Sequence, residues 1–406
     1  MERTILHCDL NNFYASCECM LDKNLRDKPV AVCGSVEERH GIVLAKNYHA
    51  KRYGVSTAEP VWQAKAKCPE LVIVPPHFDV YVKYSRIVKA IYTHYTDRVE
   101  SFGLDECWLD ISIKKISEKE GIAIANEIRE RVKRETGLTI SVGVSFNKVF
   151  AKLGSDMKKP DAVTAIGRND FKEKIWDLPA EYLFGVGRKT KAILDKYYIN
   201  TIGKIAVMPC EFFESHLGKF GTKLWQYANG DDPSPVLETA EYIPAKSFGH
   251  GTTPKKDIEN AEEVWNMLLY LSQDVGQNLR LNRQRASGVS VTIRDSKLSC
   301  RSWQGKLPMP TRSAFNIAKT AFDLFTRSYK WENPIRSVTV SAINLVPAEL
   351  PVQIELFDDL KDFERAELVE DCANSIRDRF GRNAIVPAAL LSRDLGGNHP
   401  PAFSHK

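Results

Sequence analysis

The sequence predicts an α+β chain of several domains: a ferredoxin-like split βαβ sheet with an insertion, a strandless helical segment, and a second, basic α+β module. Three observations carry this. With residues 25–78 set aside, the patterns between 4 and 144 run β, α, β, β, α, β. Strand signals then stop between Phe171 and about Gly230, where short helical patterns alternate with glycine turns. Four strand patterns and two helical ones return beyond Pro244, inside a segment (242–350) holding fifteen Lys/Arg against nine Asp/Glu. At roughly 100–200 residues per domain, 406 residues suit two to four domains.

Residues 4–8 form a short apolar run, and Asp9 follows at the start of a helical pattern reaching Glu18 and Met20. Strands are predicted at 30–33, 42–45 and 71–74, with a helix at 46–53 and a long one at 79–96. The runs 98–102 and 106–111, separated by Gly103-Leu104-Asp105, read as a hairpin. A helix over 119–135 leads to a strand at 138–144. In a split βαβ sheet the first strand lies beside the central hairpin, which brings Asp9 toward Asp105 and Glu106. Asp231-Asp232-Pro233-Ser234-Pro235 cannot continue a helix and marks a boundary, with a tether to Pro244. Beyond it, strands are expected at 246–252, 286–294, 299–306 and 336–346, and helices at 259–280, 313–328 and 362–379.

Composition narrows the function classes. Hydrophobic residues at 43% and charged residues at 27% are those of an ordinary soluble globular protein, not of a disordered or collagen-like chain. No apolar run reaches the ~18 residues of a spanning helix, and no signal-peptide core follows the amino terminus, so no membrane association is expected and the mature chain is taken to begin at residue 1. Nine cysteines without a C-x-x-C pair point to reduced thiols and a cytoplasmic location. Of the formal charge of +5, the 242–350 segment alone carries +6. A basic module on a near-neutral body suits phosphate-backbone binding, though a solvated basic surface gives the same arithmetic.

Asp9, Asp105 and Glu106 offer hard oxygen ligands without a nearby His or Cys pattern, which suits Mg²⁺. Two such ions can stabilise the attacking and leaving oxygens of an in-line phosphoryl displacement. An Asp at a strand end can also be a plain helix cap, and an acidic pair in a turn can simply be solvated. The surrounding residues narrow the choice. Ile5-Leu-His-Cys-Asp-Leu-Asn-Asn-Phe-Tyr-Ala-Ser-Cys-Glu18 and Glu100-Ser-Phe-Gly-Leu-Asp-Glu-Cys-Trp-Leu-Asp110 resemble the first two motifs of the Y-family, DinB/UmuC-like translesion DNA polymerases. Ala45–Val55, Val142–Lys152 and Asp156–Pro160 match further blocks in order, and the resemblance spans residues 4 to about 390.

The resemblance implies a template-directed, low-fidelity polymerase that extends primer–template DNA with deoxynucleoside triphosphates, acts as a monomer, and uses two Mg²⁺ ions. It implies a palm (1–24 and 79–169), fingers (25–78), a helix-hairpin-helix thumb (170–232), a linker (233–245), a little finger (246–350 and 359–393, ending in a helix and a strand), a clamp peptide (351–358) and a tail (394–406). Asp9, Asp105, Glu106 and the Leu10 carbonyl would hold the metals, Asp105 and Glu106 being the catalytic pair. Amides from Asn11 to Phe13 would face the triphosphate. Tyr14 would be the steric gate against a 2′-hydroxyl. Phe13, Tyr14, Tyr48, Lys51, Arg52 and Lys159 would hold the nucleotide. Three positions depart from the family's usual pattern: Lys51 where Arg is common, Ala45 where a hydroxyl is common, and Gly103 where Ser is frequent. The strand at 42–45, with Ile42 and Leu44 on one face, would roof the nascent base pair.

Gly185 and Gly187, with Arg188 and Lys189, form a hairpin through which backbone amides can approach a DNA phosphate, and Leu217–Gly221 forms a second. In the basic module Lys246, Arg285, Arg294, Lys297, Arg301 and Arg336 are candidate phosphate contacts. Gln353, Leu356 and Phe357 resemble the peptide that docks on the bacterial sliding clamp. Two other readings stand beside the polymerase: a nucleotide cyclase with the same two-metal palm, which needs neither hairpin grips nor a clamp peptide, and a catalytically silent DNA and clamp-binding scaffold.

Overall fold

The computed structural model describes residues 3–37, 39, 41–112, 117–239, 244–351 and 360–391. It resolves into two compact units, one of residues 1–34 and 42–242, the other of 35–41 and 243–406. The α+β class predicted from sequence is the one observed.

The first unit opens with β1 (Ile5–Leu10), α1 (Phe13–Leu21), β2 (Val30–Cys33), β3 (Val43–Lys46), α2 (Tyr48–Arg52), α3 (Val61–Lys67), β4 (Val72–Val74) and α4 (Phe78–Tyr92). It continues with β5 (Val99–Phe102), β6 (Glu106–Asp110), α5 (Glu118–Thr136), β7 (Ile140–Ser145), α6 (Lys148–Met157) and β8 (Val163–Ile166). The main sheet has the order β5-β6-β1-β7-β8. Its first four strands are the predicted split βαβ arrangement, and β8, parallel to β7, is an addition that the sequence reading missed. The inserted segment folds as its own sheet, β3-β2-β4. Asp9 does not begin a helix as expected. It is paired within β1 opposite Glu106, and the turn to α1 is made by Asn12 in the left-handed region.

Period-two alternation divides β1 between two layers. Leu6, Cys8 and Leu10 join Val88, Ile91, Ile128, Val132 and Val142 in a core against α4 and α5. Ile5, His7 and Asp9 face the other way, and Ile5 packs with Trp108, Ala151 and Val236. The helix on that side is α6, which lies unusually close to the sheet because a Cβ on Gly143 would fall 1.8 Å from the Ala151 carbonyl oxygen. Only glycine fits at that crossing. The contact carries Lys152, Ser155 and Asp156 over the end of β1.

Five helices complete the unit: α7 (Phe171–Ile175), α8 (Arg188–Lys196), α9 (Ile202–Val207), α10 (Cys210–Leu217) and α11 (Lys219–Ala228). The predicted tether does not begin at Pro233. Val236 is buried, the Leu237 amide donates to Glu100 Oε2 at 3.0 Å, and the Thr239 amide donates to the Asp97 carbonyl at 2.9 Å, so 233–239 is a strap on this unit.

The second unit comprises β9 (Ser247–Thr252), α12 (Ala261–Leu281), β10 (Gln284–Asp295), β11 (Cys300–Thr311), α13 (Ala314–Ser328), β12 (Ile335–Pro347) and α14 (Leu360–Phe380). Its sheet, β11-β10-β12-β9, buries Val289, Val291, Ile293, Val338 and Val340 against α12 and α13. No strand follows α14 among the described residues; 3₁₀ turns stand at Arg382–Ala384 and Ala388–Leu390. The expected clamp residues Gln353, Leu356 and Phe357 lie outside the described residues.

Candidate active site

The register Asp9↔Glu106 puts these two acids side by side at one end of two inner strands of the sheet. The Leu10 amide donates to the Asp105 carbonyl at 3.0 Å, tying the hairpin turn to β1. Gly103 sits in that turn at φ +80°, a conformation a serine would adopt only with strain, so glycine suits this version of the turn. From α4, Lys89 Nζ donates to the Gly103 carbonyl at 2.9 Å, and the Ser85 hydroxyl donates to the Leu104 carbonyl. The acidic turn is thereby held from two sides.

Asp9, Leu10, Phe13, Tyr14, Asp105, Glu106 and Lys159 all line one cavity of about 470 Å³. Lys159 Nζ donates to Asp9 Oδ2 at 2.7 Å and to Asp156 Oδ1 at 2.8 Å. Burial disfavours the Lys159 ammonium, yet the two carboxylates raise it above its ordinary value. Burial raises Asp9, with Lys159 pulling the other way. Asp105 is pushed up to about 6 by burial and by the charges of Asp9 and Glu106. Glu106 behaves oppositely. Its burial is outweighed by hydrogen bonds from His7 and Lys152, which hold it down at about 2.

These values describe a negative cluster that is incompletely neutralised by the protein. Among the described residues no three His, Cys, Asp or Glu side chains form a ready-made metal cage. Mg²⁺ characteristically takes one or two carboxylates and completes its shell with phosphates and water, so the donor set fits that ion arriving with a triphosphate.

Tyr14 forms part of the cavity wall and stacks on Tyr81, while the Phe13 ring turns into the core. The Tyr48 hydroxyl donates to Asn11 Oδ1 at 3.4 Å, and Lys51 Nζ stands 5.7 Å from the centre of the Tyr48 ring. Lys51 and Arg52 are exposed on α2 and are not in the cavity wall; the cation that β3 contributes to it is Lys46. The Asn11 amide donates to the Thr139 carbonyl at 2.9 Å, which withdraws it from the expected set of free amides. Leu44 also lines the cavity and is absent from the core formed by Val43, Val55 and Val61. Sequence reasoning overlooked Lys46, Lys152 and Asp156. Lys152 and Asp156, four residues apart after the Asn147 cap, share one face of α6.

Gly185, at φ +95°, packs against Phe220, so the two glycine hairpins meet. Gly187 precedes α8 with open space at its Cβ position, and Arg188 and Lys189 are exposed. Lys246 and Arg294 are exposed, as is Lys297, which lies in the turn after β10 and not in a strand. Arg336 is half-buried at the start of β12. Two cations depart from the expectation of open phosphate contacts. Arg285 pairs with Glu367 of α14 at 3.2 Å. Arg301, cross-strand partner of the core residue Ile293, turns toward the helix side and pairs with Glu332 at 3.1 Å. The sheet face away from the helices instead presents Ser290, Thr292, Ser302, Thr339 and Ser341 around Arg294.

Residues 8–156 match the impB/mucB/samB family, and residues 245–356 match that family's C-terminal domain. A DNA polymerase IV of Acetivibrio thermocellus is 50% identical over 98% of this chain and its own full length. DNA polymerase IV of Clostridium acetobutylicum is 32% identical over 97% of the chain and 100% of its own, and DNA polymerase IV 1 of Bacillus subtilis is 35% identical over 99% and 96%. A solved Y-family DNA polymerase chimera superposes with a TM-score of 0.76 at 22% identity, covering 85% of this chain and 99% of its own. Polymerases of this kind use divalent metal ions, bind DNA and take deoxynucleoside triphosphates, and the cyclase and silent-scaffold readings are not favoured. The chain belongs to the impB/mucB/samB family of Y-family, DinB-like polymerases, and it is a DNA-directed DNA polymerase of translesion synthesis.

Proposed function

We propose that nucleotidyl transfer runs at the Asp9–Asp105–Glu106 cluster, with two Mg²⁺ ions held by these carboxylates and the Leu10 carbonyl. The supporting observation is geometric: Asp9, Asp105 and Glu106 line one cavity, Asp9 directly opposite Glu106, and crowding and burial push the Asp105 carboxyl up, a cluster that a divalent cation would neutralise. When bound, the ions supply charge neutralisation and activation of the primer hydroxyl. Lys159, already poised on Asp9 and Asp156, can pass to the triphosphate as a point charge, aided by Tyr48 and by Lys51 or Arg52. Lys46 is a further candidate from the cavity wall. Tyr14 bars the 2′-hydroxyl by bulk.

The glycine hairpins with Arg188 and Lys189 grip the duplex backbone, and the Arg294 face of the second unit, with Lys246, Lys297 and Arg336, follows it further. Gln353, Leu356 and Phe357 engage the sliding clamp. The protein works as a monomer in the cytoplasm, consistent with nine free thiols and with no described helix long and apolar enough to cross a membrane.

Primer extension by Asp105→Ala tests the cluster. Extension should be abolished while primer–template affinity stays within about twofold, since a lost metal clamp removes several kcal/mol of transition-state stabilisation. Near-normal extension by the variant would overturn the assignment.

A further inference from the structure

β5 is the outer strand of the main sheet, and its last residue, Phe102, pairs with Glu106, which in turn pairs with Asp9. Residues opposed across antiparallel strands share a face, so Phe102, Glu106 and Asp9 form one row across the sheet. Lys159 closes the Asp9 end of the row, donating to Asp9 Oδ2 at 2.7 Å. At the other end the Lys152 ammonium, bonded to Glu106, stands 5.3 Å from the centre of the Phe102 ring. The Trp108 and Phe184 rings lie 5.1 and 6.1 Å from it, centre to centre. With these neighbours in place Phe102 is still 42% exposed, and it lies outside the cavity wall that Tyr14, Lys46 and Lys159 share.

We propose that Phe102 binds the terminal deoxyribose of the primer, its open apolar surface resting against the sugar that bears the attacking hydroxyl. This rests on the reading of Asp9, Asp105 and Glu106 as the reacting centre. In that reading the triphosphate occupies the cavity, with Lys159 at the Asp9 end of the row. An in-line displacement brings the nucleophile in opposite the departing pyrophosphate, which is the Glu106 end. Opposed residues have Cβ atoms about 5 Å apart, so a sugar whose hydroxyl stands beside Glu106 has Phe102 within its own width. The C–H groups of a deoxyribose match an aromatic ring without leaving a polar group unpaired. A lone exposed phenylalanine is ordinary on a protein surface and needs no ligand. Phe102 differs in its place and its support: it is opposite a reacting-centre acid, and Trp108 and Phe184 hold its ring there. Phe184 also precedes Gly185, in the hairpin read as gripping the duplex backbone, so one DNA strand can run from that hairpin to Phe102.

The test combines crosslinking with kinetics. Photoreactive p-benzoylphenylalanine in place of Phe102, in the complex with dideoxy-terminated primer–template and nucleotide, should join to the last primer nucleotide. Crosslinks confined to the template strand or to the incoming nucleotide, or none with DNA bound, would overturn the proposal. Single-turnover extension should be about tenfold slower in Phe102→Ala with nucleotide affinity within about twofold, and Phe102→Leu should recover most of the loss. A residue that only packs against Trp108 and Phe184 would lower the melting temperature and leave the rate of the folded enzyme alone, so equal rates in the wild type and the alanine variant would also overturn it. If Phe102→Ala fails to fold, the crosslink decides. Asp105→Ala is the control for the underlying reading: undiminished extension there would move the reacting centre away from this row and take the proposal with it, whereas its loss there beside an unchanged rate in Phe102→Ala refutes the primer contact alone.

Discussion

Tyr14 lies face to face on Tyr81, ring centres 4.3 Å apart and planes 9° from parallel. The Tyr81 hydroxyl donates to Glu18, a buried carboxylate that His77 Nδ1 also meets at 3.0 Å. The aromatic wall of the cavity is thus backed by a second ring, itself fixed from α1 and α4. A gate that works by bulk needs such backing, because a ring free to swing aside excludes nothing.

Sugar selection should follow this order. Tyr14→Ala should admit ribonucleotides, Tyr14→Phe should discriminate as the wild type does, and Tyr81→Ala, which lets Tyr14 recede, should fall between them. Ribonucleotide and deoxynucleotide insertion efficiencies measured side by side check it. Equal discrimination by the wild type and Tyr14→Ala would remove the gate.

Metal-free stability should depend on pH through Asp105. Its ordinary value is 3.8 and its folded value about 6, raised by burial and by Asp9 and Glu106. The folded state therefore holds this proton more tightly than the unfolded chain. That contribution is fully present below about pH 4 and is lost as pH rises through 6. Asp105→Asn, which cannot ionise, should stabilise the chelator-treated protein at pH 8 by up to roughly 2 kcal/mol after solvent screening, and change little at pH 4. Melting curves at the two pH values decide it, and a variant no more stable at pH 8 would contradict the burial of an uncompensated charge.

Much of this site was legible in the sequence because β-pairing obeys a two-residue period. Once β1 was placed beside the hairpin, Asp9 had to approach Asp105 and Glu106. The glycine at 154 obscured α6, since glycine weakens a helical reading, and its cause is tertiary: a Cβ there would come within 3.2 Å of the Gly143 Cα. With α6 unseen, the places of Lys152 and Asp156 in the cavity wall were hidden as well. Arg285 and Arg301 counted toward a basic surface by composition alone, which cannot reveal partners such as Glu367, distant in sequence, or Glu332.

Clamp dependence should reside in Leu356 and Phe357, the apolar anchors of the Gln353-Ile-Glu-Leu-Phe357 segment, as buried anchors carry most interface energy. Alanine at both should abolish stimulation by a bacterial sliding clamp and leave unassisted extension at the wild-type rate. Equal stimulation of both proteins would refute the docking.

Lesion tolerance should be set by Leu44. It lies on β3 and lines the same cavity as Ala45, Lys46, Tyr14 and the acidic cluster, and it takes no part in the core that buries Val43. A branched side chain in that wall removes volume that a displaced or cross-linked template base would need. Leu44→Ala should therefore raise bypass of bulky and cross-linked template bases relative to small adducts, and lower fidelity on undamaged templates because the base pair is less constrained. Since the side chain is outside the apolar core, the loss of stability should stay below the about 2–5 kcal/mol of a core leucine truncation. Bypass efficiency and melting temperature measured on the same preparation separate the two outcomes: a lower melting temperature with unchanged bypass would make Leu44 a packing residue and not the roof of the base pair.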